Sequence, residues 1–368
     1  SAGNTLEEIA SAIKTQFSGQ SGIVYCFSKK DSADVAVGLC SRQISANCYH
    51  ADLTPESRTK VHHAWTRGKV KVIVATIAFG MGIDKSDVRF VIHHTMSKSM
   101  ENYYQESGRA GRDGKRAHCI LYYNPTDSSR QSCMVFTEQT GLKNLYGMLS
   151  YCQDIHSCRR SLIGQHFGEE WKERECRGMC DNCHNKLRNG NYVTIKKGLT
   201  NEAQNVLKIL QHAQNIGERV TMIKLLEAWQ GKGIKKLRIK ELPVPHLTSV
   251  DCQRFLIQLL LDNILKEDFH FTPYSTISYL VPGLRAQNVM DRKISVSMEL
   301  FPEATTQKEV SRKRDRSKSS WSDIKETKEK KPKIEVKTEK SDKPSSSSHS
   351  QKFQRGSRTS SNSVVIVE

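Results

Sequence analysis

The sequence predicts an α/β chain: a parallel-sheet lobe, a helical cysteine-bearing segment, a small unit of three helices and a hairpin, and a polar tail. Three observations carry that reading. Short β-branched runs alternate with helical segments between Thr5 and Tyr123, the pattern of strands joined by crossover helices. Cys158, Cys176, Cys180 and Cys183 follow a helical stretch at the spacing C-x17-C-x3-C-x2-C. After Pro302 large apolar residues nearly vanish until Val364. The expected boundaries are 1–126 for the lobe, 127–195 for the cysteine segment, 196–302 for the helix-and-hairpin unit and 303–368 for the tail.

The elements follow in order. Thr5 to Phe17 places Leu6, Ile9, Ile13 and Phe17 on one helical face. Gly22 to Ser28 is an apolar run of buried-strand length, and Asp31 to Gln43 is a polar helix candidate. Cys48-Tyr49-His50 is a short strand. Thr54 and Pro55 open the next helix as N-cap and first-turn residue. Val70–Thr76, Val88–His93 and His118–Tyr123 are further strands, with a helix opened by Ser99 before the last. Asp127 to Gln165 is helical. Helices are expected at 202–213, 221–230 and 250–262, then alternation from Ile264 to Leu280 around a turn at Thr272-Pro273-Tyr274, which is winged-helix composition. From residue 303 onward Ser, Lys, Glu and Thr dominate, too little apolar surface to offset ordering entropy, so the tail is expected to be disordered.

The formal charge is +18, of which +7 lies in residues 303–368. A cationic excess in both parts favours a polyanionic partner, nucleic acid first. No secretory signal opens the chain, and no apolar run approaches the ~20 residues of a membrane span. The eleven cysteines are therefore expected to be reduced thiols in an intracellular compartment, and a cluster of them to bind metal before forming disulfides. The chain begins Ser1-Ala2-Gly3 without methionine, which suggests a fragment.

Two stretches carry chemistry. Gln105 to Gly114 reads Q-E-S-G-R-A-G-R-D-G, with Arg109 and Arg112 each directly after a glycine. Glycine permits close backbone approach, and arginine offers a permanently charged fork suited to phosphate oxygens. The bland alternative is a basic turn. The cysteine quartet offers four thiolates and no carboxylate, the donor set of tetrahedral Zn²⁺ in a closed structural site. His184, adjacent to Cys183, is the competing fourth ligand. Cys26, Cys40, Cys48, Cys119, Cys133 and Cys252 are expected to be packing residues, with Cys152 the spare thiol nearest the cluster. Ser28, His50, Thr76 and the two arginines fall at or after predicted strand or helix ends, the edge where α/β folds bind ligands.

The runs V-I-V-A-T-I-A-F-G-M-G-I-D-K and Y-Y-Q-E-S-G-R-A-G-R-D-G resemble motifs V and VI of superfamily-two helicases, in the form used by RecQ DNA helicases. Ile23 to Ser28 resembles motif IV, and Tyr49 to Leu53 the segment after it. The quartet resembles the RecQ zinc subdomain and the unit after it the RecQ winged helix. The resemblance covers roughly Thr5 to Leu300 and is nearest to the short vertebrate-type member. It implies a RecA-like parallel-sheet lobe, a helical zinc-binding subdomain with structural Zn²⁺, a winged-helix domain and a disordered tail. It also implies ATP-dependent 3′-to-5′ unwinding of single-stranded and forked duplex DNA, in replication, recombination and repair. Arg112 would be the arginine finger on the γ-phosphate of ATP. Arg109 and Gln105 would position it and couple it to DNA. Asp84 would contact the nucleotide or link the lobes. Ser28 and Thr76, with His50 beside them, would touch DNA. Tyr274 would be a strand-separating pin at the hairpin tip; the alternative is a turn tyrosine packed on its own hairpin, with Phe269 and Phe271 as hairpin core. Lys232, Lys235, Lys236 and Arg238 beside Trp229 read equally as a duplex-DNA patch and as a solvated face.

No G-x-x-x-x-G-K-[ST] and no D-E-x-H occurs in the 368 residues. The lobe that would bind ATP and Mg²⁺ is therefore expected to be absent from this chain, and the chain alone to be inactive. The competing reading is a truncated, non-catalytic DNA-binding protein using the zinc and winged-helix parts; a third is an adaptor acting through the tail. Ser311–Arg314 and Lys330–Lys333 resemble nuclear-import patches, so the expected compartment is the nucleus. Val364, Val365, Ile366 and Val367, beside serines and an acid, have the form of a SUMO-interacting strand. Val336–Glu339 fits a SUMO-acceptor pattern. A homo-oligomer is left open.

Overall fold

The structure, a computed structural model, describes residues 2–77, 79, 85–188, 194–301 and 364–367. The lobe runs α1 (Ala2–Gln16), β1 (Ser21–Tyr25), α2 (Lys29–Cys40), β2 (Ala46–Tyr49), α3 (Pro55–Thr66), β3 (Val72–Ala75), β4 (Val88–His93), α4 (Met100–Ser107) and β5 (His118–Tyr123). The strands form a parallel sheet in the order β5-β4-β1-β3-β2. Its central strands are nearly continuous apolar runs because helices cover both faces: Ile23, Val24, Ile73, Val74, Val91 and Ile92 are fully buried. Gly22 lies opposite Phe90 on β4, and a Cβ there would stand 2.1 Å from the Phe90 ring, so the close approach of β1 and β4 requires glycine.

Local chemistry starts the helices, α3 and α4 where expected and α2 two residues earlier. Ser28 caps α2 by accepting from the Asp31 N–H at 3.0 Å. Thr54 caps α3 by accepting from the Ser57 N–H, with Pro55 in its first turn. Ser99 caps α4 by accepting from the Asn102 N–H at 3.2 Å. Each satisfies an otherwise orphaned donor, worth about 1 kcal/mol.

Next come α5 (Ser128–Val135), α6 (Gly141–Gln153), α7 (Arg159–His166) and α8 (Asp181–Arg188). The third unit holds β6 (Ile195–Gly198), α9 (Thr200–Asn215), α10 (Met222–Trp229), α11 (Ser249–Leu261), β7 (Leu265–Phe271), β8 (Thr276–Pro282), α12 (Ala286–Met290) and β9 (Ser297–Leu300). Three helices with the antiparallel β7–β8 hairpin make the winged-helix arrangement, and β6 pairs with β9 beside it. One apolar cluster runs from Met96, Tyr103 and Tyr123 through Leu145 and Leu149 of α6 into Leu210, Leu225 and Phe255. Finally β10 (Val364–Val367) pairs antiparallel with β5, Val364 opposite Tyr123 and Val367 opposite Ile120. No helix among the described residues is long and apolar enough to cross a membrane.

Cys40 departs from the packing role expected of it: it is exposed, its thiol 3.1 Å from the Ala46 carbonyl, because it closes α2 at the surface. Phe271 departs too. It is 66% exposed, at the end of β7 next to the hairpin tip. Asp84, Ser311–Arg314, Lys330–Lys333 and Val336–Glu339 lie outside the described residues.

Candidate functional site

The arginine segment begins where α4 ends. Gly108 caps the helix by donating to the Tyr104 carbonyl at 2.9 Å. Gly111 takes φ +69°, and its N–H donates to the Val88 carbonyl at 2.9 Å; an added Cβ would meet the Lys115 carbonyl at 2.9 Å. Glycine is thus required to turn the chain back to the amino end of β4. The Asp113 N–H donates to the Ser86 carbonyl at the same end. Ser28, His50 and Thr76 instead follow the carboxyl ends of β1, β2 and β3, where the Thr76 N–H reaches the Tyr49 carbonyl at 3.3 Å. The arginine turn therefore does not share that edge, because α4 is a crossover helix that returns toward the strand starts.

The side chains bridge part of the gap. Arg109 is buried, 4% exposed, beside the Tyr25 hydroxyl, which donates to the Phe79 carbonyl at 3.0 Å. Burial pushes the Tyr25 phenol up, while the charges of Arg109 and Arg112 pull it down. Arg112 itself is exposed, as is Gln105. Beneath them Glu106 is buried, accepting from the Ser97 hydroxyl at 2.6 Å and pairing with His93 Nε2 at 2.8 Å. His93 stacks on Tyr25 with ring centroids 5.3 Å apart. Sequence reading missed this layer. Its only signal was polar residues, His93 and Glu106, inside otherwise buried elements.

The four cysteine thiols gather with every sulfur within 4.8 Å of the others, all buried. The turn that gathers them uses Arg177 at φ +49° and Gly178 at φ +74°. The Cys180 and Cys183 N–H groups donate to the sulfurs of Cys176 and Cys180, each at 3.4 Å, the donation that stabilises thiolate. Burial pushes the Cys180 thiol up to about 11, and four thiolates this close together need a cation among them. The donor set fits Zn²⁺. His184 is not one of the gathered ligands. Around the quartet, Arg159 is 1% exposed and forks onto Asp181 at 3.0 and 3.1 Å; Asp154 accepts from the N–H groups of His156 and Ser157 at 2.8 and 2.6 Å. Asn182 donates to the Asp154 and Ser157 carbonyls.

Residues 4–114 match the family described as helicase conserved C-terminal domain, and residues 125–184, which hold all four cysteines, match RecQ zinc-binding. The cysteine-bearing segment is thus similar to the RecQ zinc-binding domain. The chain is 50% identical over 300 residues to ATP-dependent DNA helicase Q1 of Rattus norvegicus, covering 82% of this chain and 48% of that protein. It is 44% identical to a putative ATP-dependent DNA helicase Q1 of Caenorhabditis elegans, 82% of this chain and 47% of that one. To ATP-dependent DNA helicase Q-like 2 of Arabidopsis thaliana it is also 44% identical, 80% of this chain and 40% of that one. The chain thus spans about half the length of the curated relatives it matches.

Away from the zinc centre, Tyr274 stands at the hairpin tip and is 97% exposed, which removes the alternative of a ring packed on its own hairpin. The tip is closed by Thr272, whose N–H donates to the Ser275 carbonyl at 2.9 Å and whose hydroxyl oxygen accepts from the Ser275 N–H at 3.0 Å. In the basic run, Lys236 pairs with Glu218 at 2.5 Å and Arg238 donates to the Gly231 and Gly233 carbonyls, while Trp229 is buried. Two of its four cations are thus already engaged within the fold.

Proposed function

We propose that this polypeptide serves ATP-dependent 3′-to-5′ unwinding of forked DNA as the part that supplies the arginine finger, the zinc centre and the duplex-splitting hairpin. The observation that carries the reading is the pairing, in one chain, of a G-R-A-G-R turn with a closed four-thiol centre. The matched relatives are named as ATP-dependent DNA helicases. ATP, held with Mg²⁺ by a nucleotide-binding lobe, supplies the phosphoryl transfer. Arg112 stabilises the charge that develops on the γ-phosphate, and Arg109, beside Tyr25, sets the finger in place. The exposure of Arg112 and the burial of Arg109 support that division of labour. Gln105 couples the finger to DNA, and Asp84 contacts the nucleotide or links the lobes. Ser28, His50 and Thr76 contact the phosphate backbone, which lets an enzyme move over any sequence. Tyr274 stacks on the terminal base pair.

The tail tetrad serves as a strand donor. Its pairing with β5 occupies one backbone edge of this outermost strand, so a SUMO strand adds at the other edge or replaces β5. The compartment we propose is the nucleus.

The test is strand displacement by the product of the complete open reading frame. Helicase function requires ATP-dependent release of a labelled strand from a fork with a 3′ tail. Tight fork binding with no displacement at any ATP concentration would favour the non-catalytic DNA-binding reading instead.

A further inference from the structure

We infer that Glu267 is a positioning residue for strand separation, its carboxylate holding the β7–β8 hairpin against α5 and α6 at the attitude that presents Tyr274 to the duplex junction. The inference rests on the reading of Tyr274 as the separating residue.

Glu267 occupies an inward position of β7, where the alternation calls for an apolar side chain: Leu265 and Glu267 are buried, Lys266 and Asp268 exposed. It is 4% exposed, and no cation pairs with it among the described residues. Hydroxyls surround it instead. The Tyr146 hydroxyl on α6 donates to Oε2 at 2.8 Å, and the Ser278 hydroxyl on β8 donates to Oε1 at 2.6 Å. Ser132 on α5 is a third hydroxyl neighbour. Burial raises the carboxyl and the three hydroxyls lower it. A leucine would fill this position without the desolvation penalty of a carboxylate, so an acid is costly here unless its directional bonds matter.

What those bonds do is tie one face of the hairpin to the helical subdomain. Glu267, Phe269 and Phe271 lie on the same face of β7. Phe136, at the end of α5, stacks on Phe269 with centroids 4.3 Å apart and an interplanar angle of 16°, and meets Phe271 at 5.4 Å. The clamp therefore sets the base of the hairpin at two successive levels. Above it the Thr272–Ser275 bonds close the tip. From Glu267 to Tyr274 is seven residues, a lever of roughly 20 Å. A rotation of about 10° at the base would move the tip by about 3 Å, the difference between stacking on a base pair and missing it. The Glu267 bonds, directed to α6 and β8, resist a tilt of the hairpin at its base in a way that aromatic stacking, which tolerates sliding, does not.

The test uses the 368-residue chain and a forked duplex with 2-aminopurine in the junction base pair. Binding is read by anisotropy from a dye at the far duplex end, and stacking at the junction by 2-aminopurine fluorescence. Y274A should abolish the fluorescence change. E267L and Y146F should reduce it at least threefold while fork affinity stays within twofold. E267Q, which keeps an acceptor oxygen, should retain more than half of it. If Y274A leaves the change intact, the pin reading fails and the inference with it. If Y274A abolishes the change but E267L and Y146F keep it, the pin stands and the clamp is overturned. A fluorescence loss matched by an equal loss of fork affinity also overturns it, since that reports general damage. Y146F touches one hydroxyl only and decides the matter if E267L does not fold.

Discussion

Replacing Arg159 by alanine should unfasten the zinc centre without touching a ligand. Arg159 directly follows Cys158, and its partner Asp181 directly follows Cys180, so the pair straddles the quartet. The guanidinium is 1% exposed, forks onto Asp181 at 3.0 and 3.1 Å, donates to the Tyr151 carbonyl and lies 5.1 Å from the Tyr151 ring centroid. The Asp181 side chain is 16% exposed. Removing the cation leaves that carboxylate largely buried and unpaired, plus a void at the end of α6. Breaking a buried pair from one side costs about 3–5 kcal/mol, against about 0–1 for an exposed one. Desolvation decides for the larger figure here. R159K keeps the charge but loses the fork and should fall between the two. The R159A/D181A double variant should cost less than the sum of its singles, because the second change removes the stranded charge. The assay is urea unfolding with zinc saturating, paired with zinc release to a chromogenic chelator. R159A should unfold at lower urea and release zinc faster. R159A within 1 kcal/mol of the parent, with unchanged zinc release, would refute the reasoning.

Other outcomes follow from the same geometry. The 368-residue polypeptide should show no DNA-stimulated ATP hydrolysis in a coupled phosphate-release assay, since its sequence holds no G-K-[ST] cradle; turnover would place a nucleotide site somewhere unrecognised. Burial works to raise the Asp154 carboxyl, but the N–H groups of Ser157 and His156 and the charge of Arg159 outweigh it and hold it below the ordinary range. A depressed carboxylate contributes stability that is present above its unfolded value near 3.9 and lost as pH falls through its folded value. D154N should therefore cost about 1–2 kcal/mol at pH 7, with the difference from the parent closing below about pH 4 in pH-dependent unfolding. For the tail, a peptide of residues 358–368 should shift labelled SUMO resonances in an NMR titration more strongly than the same residues do within the chain, where β5 already occupies one of the strand's two edges. Equal shifts would argue that β10 does not hold the strand.

What the sequence disclosed and what it hid divide along chain distance. The strands at Val88–His93 and His118–Tyr123, the cap at Thr54 and the convergence of four thiols rest on neighbours or on fixed short spacings, and periodicity and cap chemistry disclose those. The edge shared by Ser28, His50 and Thr76 was legible for the same reason. The backbone of the arginine turn returns to the amino end of β4 because a crossover helix reverses direction, while the Arg109 side chain reaches back beside Tyr25 at the other end, and neither is announced by the length of the helix. Glu267 gave no signal, since Tyr146 lies 121 residues away in sequence and the strand pattern reads the acid as a break in the buried face. The hidden half of the Arg159–Asp181 pair is similar: beside cysteines in a cationic chain, an arginine looks like one more surface charge.

The account turns on Arg112 acting at a γ-phosphate. The direct measurement is single-turnover ATP hydrolysis by the complete open reading frame product carrying R112A, with nucleotide affinity and fork affinity measured on the same preparation. An arginine finger is worth about 10³–10⁵ in rate. The account predicts a loss of at least a thousandfold in hydrolysis with ATP and fork affinities changed by no more than a few fold. Hydrolysis at the parent rate would contradict it.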